Sequence, residues 1–280
     1  MKISVFYDHI LQAREQTGKS LQEVLFEVKK LGICGVEINL SYLCKQEDTW
    51  DLLKNAGLEI SCIYEFYKMD SCEEKEKAQQ HIQMAVKVGA KRILVVPGFL
   101  SGKEAEEFQK VIKDEKETRE FLEKSEAALK MAEGLQYLAH LGTEAGVMVT
   151  VEDFDDVTSP LSGVNGLLWY LKKVENLKYT FDMGNFIFHG EDVENALEKL
   201  KAWVVHVHCK DRKIKERFLP SAVGAGDLPI SLLIENLKKI EYDDYLAIEH
   251  FDAPNQEAFM RASAMFLKNS WKNLEGRTRL

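Results

Sequence analysis

Four short strand-like runs in this sequence end in residues that could bind a metal ion or transfer a proton. The run W-V-V-H-V-H-C-K-D at Trp203–Asp211 carries His206 and His208 in alternate positions. Three other runs end in a carboxylate, namely V-M-V-T-V-E at Glu152, K-Y-T-F-D at Asp182 and Y-L-A-I-E at Glu249. Three carboxylates with one imidazole suit Mn²⁺, Co²⁺, Fe²⁺ or Mg²⁺ better than a thiolate site would.

Strand-like and helical runs alternate along the whole chain and indicate how these ends are positioned. The periodicity predicts eight strands, at residues 2–7, 33–40, 58–64, 92–96, 147–152, 178–182, 204–209 and 245–249. Alternation with helices implies parallel strands, and eight such units over 280 residues predict an α/β fold, a single (β/α)8 TIM barrel domain spanning 1–280. A doubly wound open sheet is the alternative, but the glycine-rich fingerprint after the first strand is missing.

The connecting segments are predicted from the same periodicity. Ser20 and Glu23 form a capping box that starts a helix. The long charged segment 101–146 predicts two consecutive helices rather than one. Strand seven is expected to end at Cys209, so that Lys210 and Asp211 begin a substrate-facing loop.

The barrel prediction brings the four ends together. Active sites of such barrels form at the carboxyl ends of the strands, and side-chain alternation turns Glu152, Asp182, His208 and Glu249 inward. Carboxylates buried there need a cation or a shared proton. The alternative, that each residue only ends a strand and caps the next helix, stays open.

Composition limits the partners. The chain has 37 basic and 46 acidic residues and a net charge of −9, which opposes nucleic-acid binding. No apolar run is long enough to cross a bilayer, and the amino terminus enters a strand without a signal sequence, so we expect a cytoplasmic protein. The cysteines form no C-x-x-C pair and are expected to be reduced thiols rather than zinc ligands: Cys34, Cys44, Cys62, Cys72 and Cys209.

Six motifs in this order resemble the sugar phosphate isomerase/epimerase family with a xylose isomerase-like barrel, which includes ketose 3-epimerases, hydroxypyruvate isomerase and inosose dehydratase. They are G-V-E-I at Gly35–Ile38, V-T-V-E-D at Val149–Asp153, F-D-M-G-N-F at Phe181–Phe186, H-V-H-C-K-D at His206–Asp211, G-A-G-D at Gly224–Asp227 and A-I-E-H at Ala247–His250. The resemblance spans essentially the whole chain.

The resemblance implies a divalent ion held by Glu152, Asp182, His208 and Glu249, with Mn²⁺ expected and Co²⁺, Mg²⁺, Fe²⁺ or Zn²⁺ as alternatives, and no organic cofactor. It also implies proton transfer through a cis-enediolate of a sugar or sugar phosphate, with Glu152 and Glu249 as acid and base. Return of the proton to the opposite face is epimerisation, and its return to the neighbouring carbon is isomerisation. Members of the family are often dimers or tetramers, so the resemblance also implies a homodimer or homotetramer.

The residues expected to contact the substrate are Glu37, Asn185, Lys210, Asp211, Arg212, Tyr7, His9 and Glu65. For Glu37 an interior ion pair is the alternative, and His206 is expected to be a hydrogen-bonded interior histidine. Asn185 stands where the sugar epimerases carry a histidine, and Ile214 where they carry an arginine.

Three other functions compete with an isomerase. A lyase that dehydrates a keto-inositol or keto-sugar would use the same enediolate and then expel a hydroxyl group. An endonuclease of the type that cleaves DNA at abasic sites is a remote alternative, which the net charge opposes. A non-catalytic sugar-binding barrel would not need two acid–base glutamates.

Overall fold

The computed structural model describes residues 1–45, 48–70 and 74–277. The strands in these ranges are β1 Lys2–Phe6, β2 Gly35–Asn39, β3 Glu59–Phe66, β4 Arg92–Val96, β5 Met148–Glu152, β6 Lys178–Asp182, β7 Val204–Lys213, β8 Leu219–Ser221 and β9 Tyr245–Glu249. The α-helices are α1 Tyr7–Thr17, α2 Leu21–Lys30, α3 Leu40–Lys45, α4 Asp48–Asn55, α5 Lys75–Val88, α6 Gly102–Val111, α7 Glu115–Leu122, α8 Glu126–Ala145, α9 Val164–Lys173, α10 Val193–Leu200, α11 Ile230–Lys239 and α12 Gln256–Arg277.

The chain divides into two compact units, and each is described by itself. The first unit comprises Met1–Ser61 and the described part of His206–Leu280, and the second comprises Cys62–Val205. No helix among the described residues is long and apolar enough to span a membrane. The assignment of residues 1–280 to one domain stays a prediction.

The first unit contains a sheet in the order β2–β1–β9–β7–β8. Its strands are parallel except for β8, which pairs with the end of β7 as an antiparallel hairpin. The register places His208 opposite Ala247 and Lys210 opposite Glu249. The predicted capping box is present at the start of α2, where the Ser20 side chain and Glu23 exchange hydrogen bonds.

The second unit contains the parallel sheet β3–β4–β5–β6, with β3 counted from Cys62 onward. Strand β4 is buried along its whole length, in agreement with its continuous apolar sequence. Glu152 lies opposite Thr180, so that β5 and β6 end side by side. A Cβ at Gly142 of α8 would lie 2.5 Å from the carbonyl oxygen of Val147, which explains why this close helix–strand contact requires glycine.

Three local predictions were wrong. Segment 101–146 forms the three helices α6, α7 and α8 instead of two, because Asp114 and Ser125 each accept a backbone N–H at a helix start and so begin new helices. Residues 7–17, for which no helix was predicted, form α1. Strand β7 does not stop at Cys209: it continues to Lys213 because its polar end pairs with β8, with Asp211 opposite Ser221. Lys210 and Asp211 therefore belong to a strand and do not begin a loop.

The structure describes four of the five cysteines. Among the residues that the structure describes, Cys34, Cys44, Cys62 and Cys209 form no disulfide, and Cys62 and Cys209 are buried. Cys72 lies outside the described residues. Buried thiols of this kind behave as small apolar side chains.

Candidate active site

A fully buried carboxylate in the first unit contacts two histidines. Glu37 Oε2 lies 2.8 Å from His206 Nε2, and both oxygens of Glu37 lie 3.1 Å from His208 Nε2. Burial alone would raise the pKa of Glu37, but the two histidines lower it to about 2. Glu37 is therefore ionised, and the group of three offers donor atoms within 4.8 Å of one another that could hold a metal ion.

The other nitrogen of the His208 ring faces Glu249. His208 Nδ1 lies 3.1 Å from Glu249 Oε2, and Lys210 Nζ lies 2.7 Å from Glu249 Oε1. Burial would raise the pKa of Glu249, but Lys210 and His208 hold it well below its usual range. The predicted ligands His208 and Glu249 are thus brought together, and Glu249 is a buried, ionised carboxylate.

Tyr7 and His9 are buried at the start of α1. The ring of Tyr7 meets Tyr42 edge-on at 5.3 Å, and burial raises its pKa. His9 Nε2 accepts the backbone N–H of His250 at 2.9 Å, and the two imidazoles stack at 4.6 Å. Burial, with the neighbouring His250, lowers the pKa of His9 well below its usual range, so His9 is neutral. Contact of either residue with a substrate stays a prediction.

Asp211 binds the loop that follows β8. Its buried carboxylate accepts backbone N–H groups from Arg212 at 2.8 Å, Gly224 at 2.9 Å, Gly226 at 2.8 Å and Leu228 at 3.4 Å. Burial raises the pKa of Asp211 in spite of these hydrogen bonds. The structure thus gives Asp211 a role that the sequence did not suggest, which is to hold the G-A-G-D loop against β7.

Lys210 and Arg212, both expected at the substrate, have different surroundings. Lys210 is buried beside Glu249, as described above. The guanidinium of Arg212 donates to the carbonyl oxygen of Phe218 at 3.1 Å, within the β7–β8 hairpin. Lys210 thus contacts a predicted metal ligand.

In the second unit, Glu152 and Asp182 end the neighbouring strands β5 and β6. Asp182 is buried, and its Oδ1 accepts the backbone N–H of Gly184 at 2.6 Å. Asp153 follows Glu152 and accepts the backbone N–H of Asp182 at 3.1 Å and the hydroxyl of Tyr179. Burial raises the pKa of Asp153 to about 8, and the charge of Glu152 adds to this effect.

Asp153 and Tyr179 were missed by the sequence reasoning. Asp153 ends the V-T-V-E-D motif, and Tyr179 alternates with Phe181 on the face of β6 opposite to Asp182. An isolated tyrosine on an apolar strand face was the available signal. Together, Asp153 and Tyr179 link the ends of β5 and β6 through one buried carboxyl group.

The two remaining predicted substrate contacts also belong to the second unit. The amide of Asn185 is buried and donates to the backbone oxygen of Asp153 at 2.8 Å. Glu65 is partly exposed, and its Oε1 accepts the backbone N–H of Phe66 at 2.7 Å. Neither contact shows whether the side chain meets a substrate, so both stay predictions.

Comparison with known proteins gives the family. A sequence model of the xylose isomerase-like TIM barrel matches residues 25–270. The rhizopine catabolism protein MocC of Rhizobium meliloti is 26% identical over 263 residues, which are 84% of this chain and 76% of that protein. The inosose dehydratase of Clostridium perfringens is 26% identical over 251 residues, which are 82% of each chain.

The solved structures agree on the fold. The probable 3-DHS dehydratase AsbF of Bacillus anthracis superposes with a TM-score of 0.72 at 17% identity, covering 96% of this chain and 99% of that one. Other structures of the same fold are sugar epimerases. The predicted (β/α)8 fold is confirmed, and the chain belongs to the xylose isomerase-like TIM barrel family.

Proposed function

We propose that Glu152, Asp182, His208 and Glu249 together hold one divalent metal ion, Mn²⁺ in the first place, and that the chain is an isomerase or epimerase of a sugar or sugar phosphate. The observation that carries the proposal is the buried, ionised Glu249 beside His208 Nδ1. In this fold the carboxyl ends of the strands form the active site, and Glu152, Asp182 and Glu249 end β5, β6 and β9. His208 lies within β7, opposite Ala247 of β9.

The donor set fits a divalent ion. Each of the four residues offers one carboxylate oxygen or imidazole nitrogen. A site with three carboxylates and one imidazole suits Mn²⁺ and similar ions.

The bound ion would polarise the substrate carbonyl and so make the neighbouring C–H group more acidic. Glu152 and Glu249 then divide the proton transfer: one takes the proton from carbon and the other delivers a proton. Lys210 holds Glu249 in its ionised form by donating an ammonium N–H to Glu249 Oε1. Delivery to the opposite face of the carbon gives an epimer, and delivery to the adjacent carbon gives an isomer.

Hydrogen exchange tests this proposal. The purified, Mn²⁺-loaded protein is incubated in D₂O with a panel of ketoses and their phosphates, and deuterium next to the carbonyl is measured. We expect exchange with the wild type and a loss of about 10²–10⁴-fold in Glu152→Gln and in Glu249→Gln. Glu59→Gln is the matched control, because Glu59 lies in the first unit and pairs with Lys2 at the surface.

Two results would contradict the proposal. Unchanged exchange in both active-site variants would remove their acid–base role. Elemental analysis and titration that found no divalent ion bound to the wild type would remove the metal site.

Dehydration is the second candidate, and the similarity to an inosose dehydratase favours it. The same proton removal next to a carbonyl would be followed by expulsion of a hydroxyl group from the next carbon. Asn185, which replaces the histidine of the sugar epimerases, is the departure that leaves room for this outcome. Mass spectrometry decides between the two reactions, because a dehydratase product lacks one water and an isomerase product has the mass of the substrate.

A further inference from the structure

We infer that Glu37 is a positioning residue, which together with His206 holds the His208 ring so that Nε2 donates to Glu37 and Nδ1 faces Glu249. The part of this inference that concerns metal binding rests on the proposed function. The part that concerns the ring itself does not, because it is a property of the metal-free chain.

The two nitrogens of the His208 ring face two different carboxylates. Nε2 lies 3.1 Å from both oxygens of Glu37, and Nδ1 lies 3.1 Å from Glu249 Oε2. A neutral imidazole carries its proton on one nitrogen and a lone pair on the other. A metal ligand must present a lone pair, and Glu37 as the acceptor of the Nε2–H group leaves Nδ1 as the nitrogen that would bind an ion together with Glu249.

Glu37 is suited to be that acceptor because it is fixed. It is fully buried in β2, and a second hydrogen bond from His206 Nε2, at 2.8 Å, engages the same carboxylate. The His206 and His208 rings meet edge-on at 5.4 Å and 84°, so both can approach one carboxylate without stacking.

Phe6 restricts the rotation of the His208 ring. Phe6 lies opposite Glu37 in the β1–β2 register, and its ring meets the His208 ring edge-on at 5.1 Å. A rotated imidazole would have to displace this ring in a close-packed interior. The arrangement thus fixes the orientation of the His208 ring.

The role differs from the substrate contact predicted for Glu37. Both of its oxygens are engaged by imidazoles, and its side chain has no exposed surface. Groups that orient a metal ligand from behind typically change metal affinity by about 10–100-fold when they are removed. The expected effect of Glu37 on catalysis is therefore indirect and acts through the affinity for the ion.

The test uses the full chain with ¹⁵N-labelled histidine side chains. Two-bond ¹⁵N–¹H spectra of the metal-free protein at neutral pH report which ring nitrogen carries the proton, and a His208→Asn variant assigns the His208 signals. His81 is an internal reference, since both its nitrogens have partners in the second unit, Tyr67 and the backbone oxygen of Ile63. Zn²⁺ is then titrated as a diamagnetic probe, and Mn²⁺ affinity is measured by calorimetry.

We expect His208 Nε2 of the wild type to carry a proton both before and after Zn²⁺ is added, and Zn²⁺ to shift the Nδ1 signal. In Glu37→Gln the Nε2–H signal should move and the affinity for both ions should fall by about 10–100-fold, while the His81 signals remain unchanged and so report an intact fold. His206→Gln keeps the Glu37–His208 contact and should lose less affinity. The control Glu59→Gln should bind as the wild type does.

The inference is overturned if the metal-free wild type carries the proton on Nδ1 with Nε2 bare. It is also overturned if Glu37→Gln keeps both the wild-type ring spectrum and the wild-type affinity. A wild type that binds neither ion refutes the proposed function instead, and the spectra of the metal-free wild type and of Glu37→Gln then decide the positioning role by themselves. If Glu37→Gln does not fold, His206→Gln provides the comparison, and an unchanged His208 spectrum in it refutes the contribution of His206.

Discussion

Replacement of Asp211 by asparagine should release the G-A-G-D loop from β7. The carboxylate of Asp211 accepts four backbone N–H groups, and Gly224 and Gly226 both donate to its Oδ2, at 2.9 and 2.8 Å. An asparagine side chain has one acceptor oxygen and one NH₂ group. In either orientation of the asparagine amide, its NH₂ group replaces one carboxylate oxygen and faces two of the four backbone N–H groups, which are also donors.

The size of the effect follows from the lost hydrogen bonds. A hydrogen bond to a charged group contributes about 1.5–3 kcal/mol, and two are lost if the NH₂ group takes the place of Oδ2. Burial raises the pKa of Asp211, which means that its charge is itself costly in the folded state and offsets part of this gain. We therefore expect Asp211→Asn to lower the stability of the loop by about 2 kcal/mol.

Hydrogen exchange of the backbone amides measures the change directly. A loss of about 2 kcal/mol corresponds to roughly 30-fold faster exchange at Gly224 and Gly226, with little change in the strands of the second unit. Global unfolding in urea should change less than the local exchange does, because the loop can open without unfolding the sheet.

A second variant disturbs the same contact from the other side. A Cβ at Gly226 would lie 1.9 Å from Asp211 Oδ1 and 2.8 Å from the backbone oxygen of Arg212, so Gly226→Ala should also speed exchange in the loop. Gly102→Ala is the matched control, since a Cβ there meets nothing within 4 Å. Unchanged exchange at Gly224 in both Asp211→Asn and Gly226→Ala would refute the role assigned to Asp211.

Two further predictions concern the second unit. Burial lowers the pKa of His81 from 6.5 to about 3, so the unfolded chain binds this proton more readily and stability is lost as the pH falls below 6.5. Between pH 7 and pH 5 the buried, neutral His81 should lower the free energy of unfolding by about 2 kcal/mol. Urea unfolding should therefore show a smaller loss of stability over this pH range in His81→Gln than in the wild type. An equal loss in both proteins would contradict this prediction. Tyr179→Phe removes the hydroxyl that donates to Asp153 and should cost about 1–3 kcal/mol in urea unfolding. Tyr170→Phe, which loses a 3.3 Å bond to a backbone oxygen, should cost less, and the reverse order would argue against the Asp153 contact.

The fold and the metal-ligand candidates were accessible from the sequence because both depend on local periodicity. Alternating side chains define the faces of a strand, and alternation with helices defines a parallel sheet. Carboxylates at the ends of β5, β6 and β9, and the imidazole of His208 in β7, could therefore be named without any knowledge of their neighbours. The capping box at Ser20 was predictable for the same reason, since its two partners are three residues apart.

Contacts between distant residues were decided only by the tertiary structure. Glu37 lies 169 residues from His206 and 171 from His208, and no local pattern says whether a buried glutamate meets a substrate or a histidine. The extension of β7 depends in the same way on its pairing with β8. The sequence thus determined which residue types stand at the strand ends, because side-chain alternation is a local property. The tertiary structure decided which partner each one meets, because that depends on the register between strands far apart in the chain.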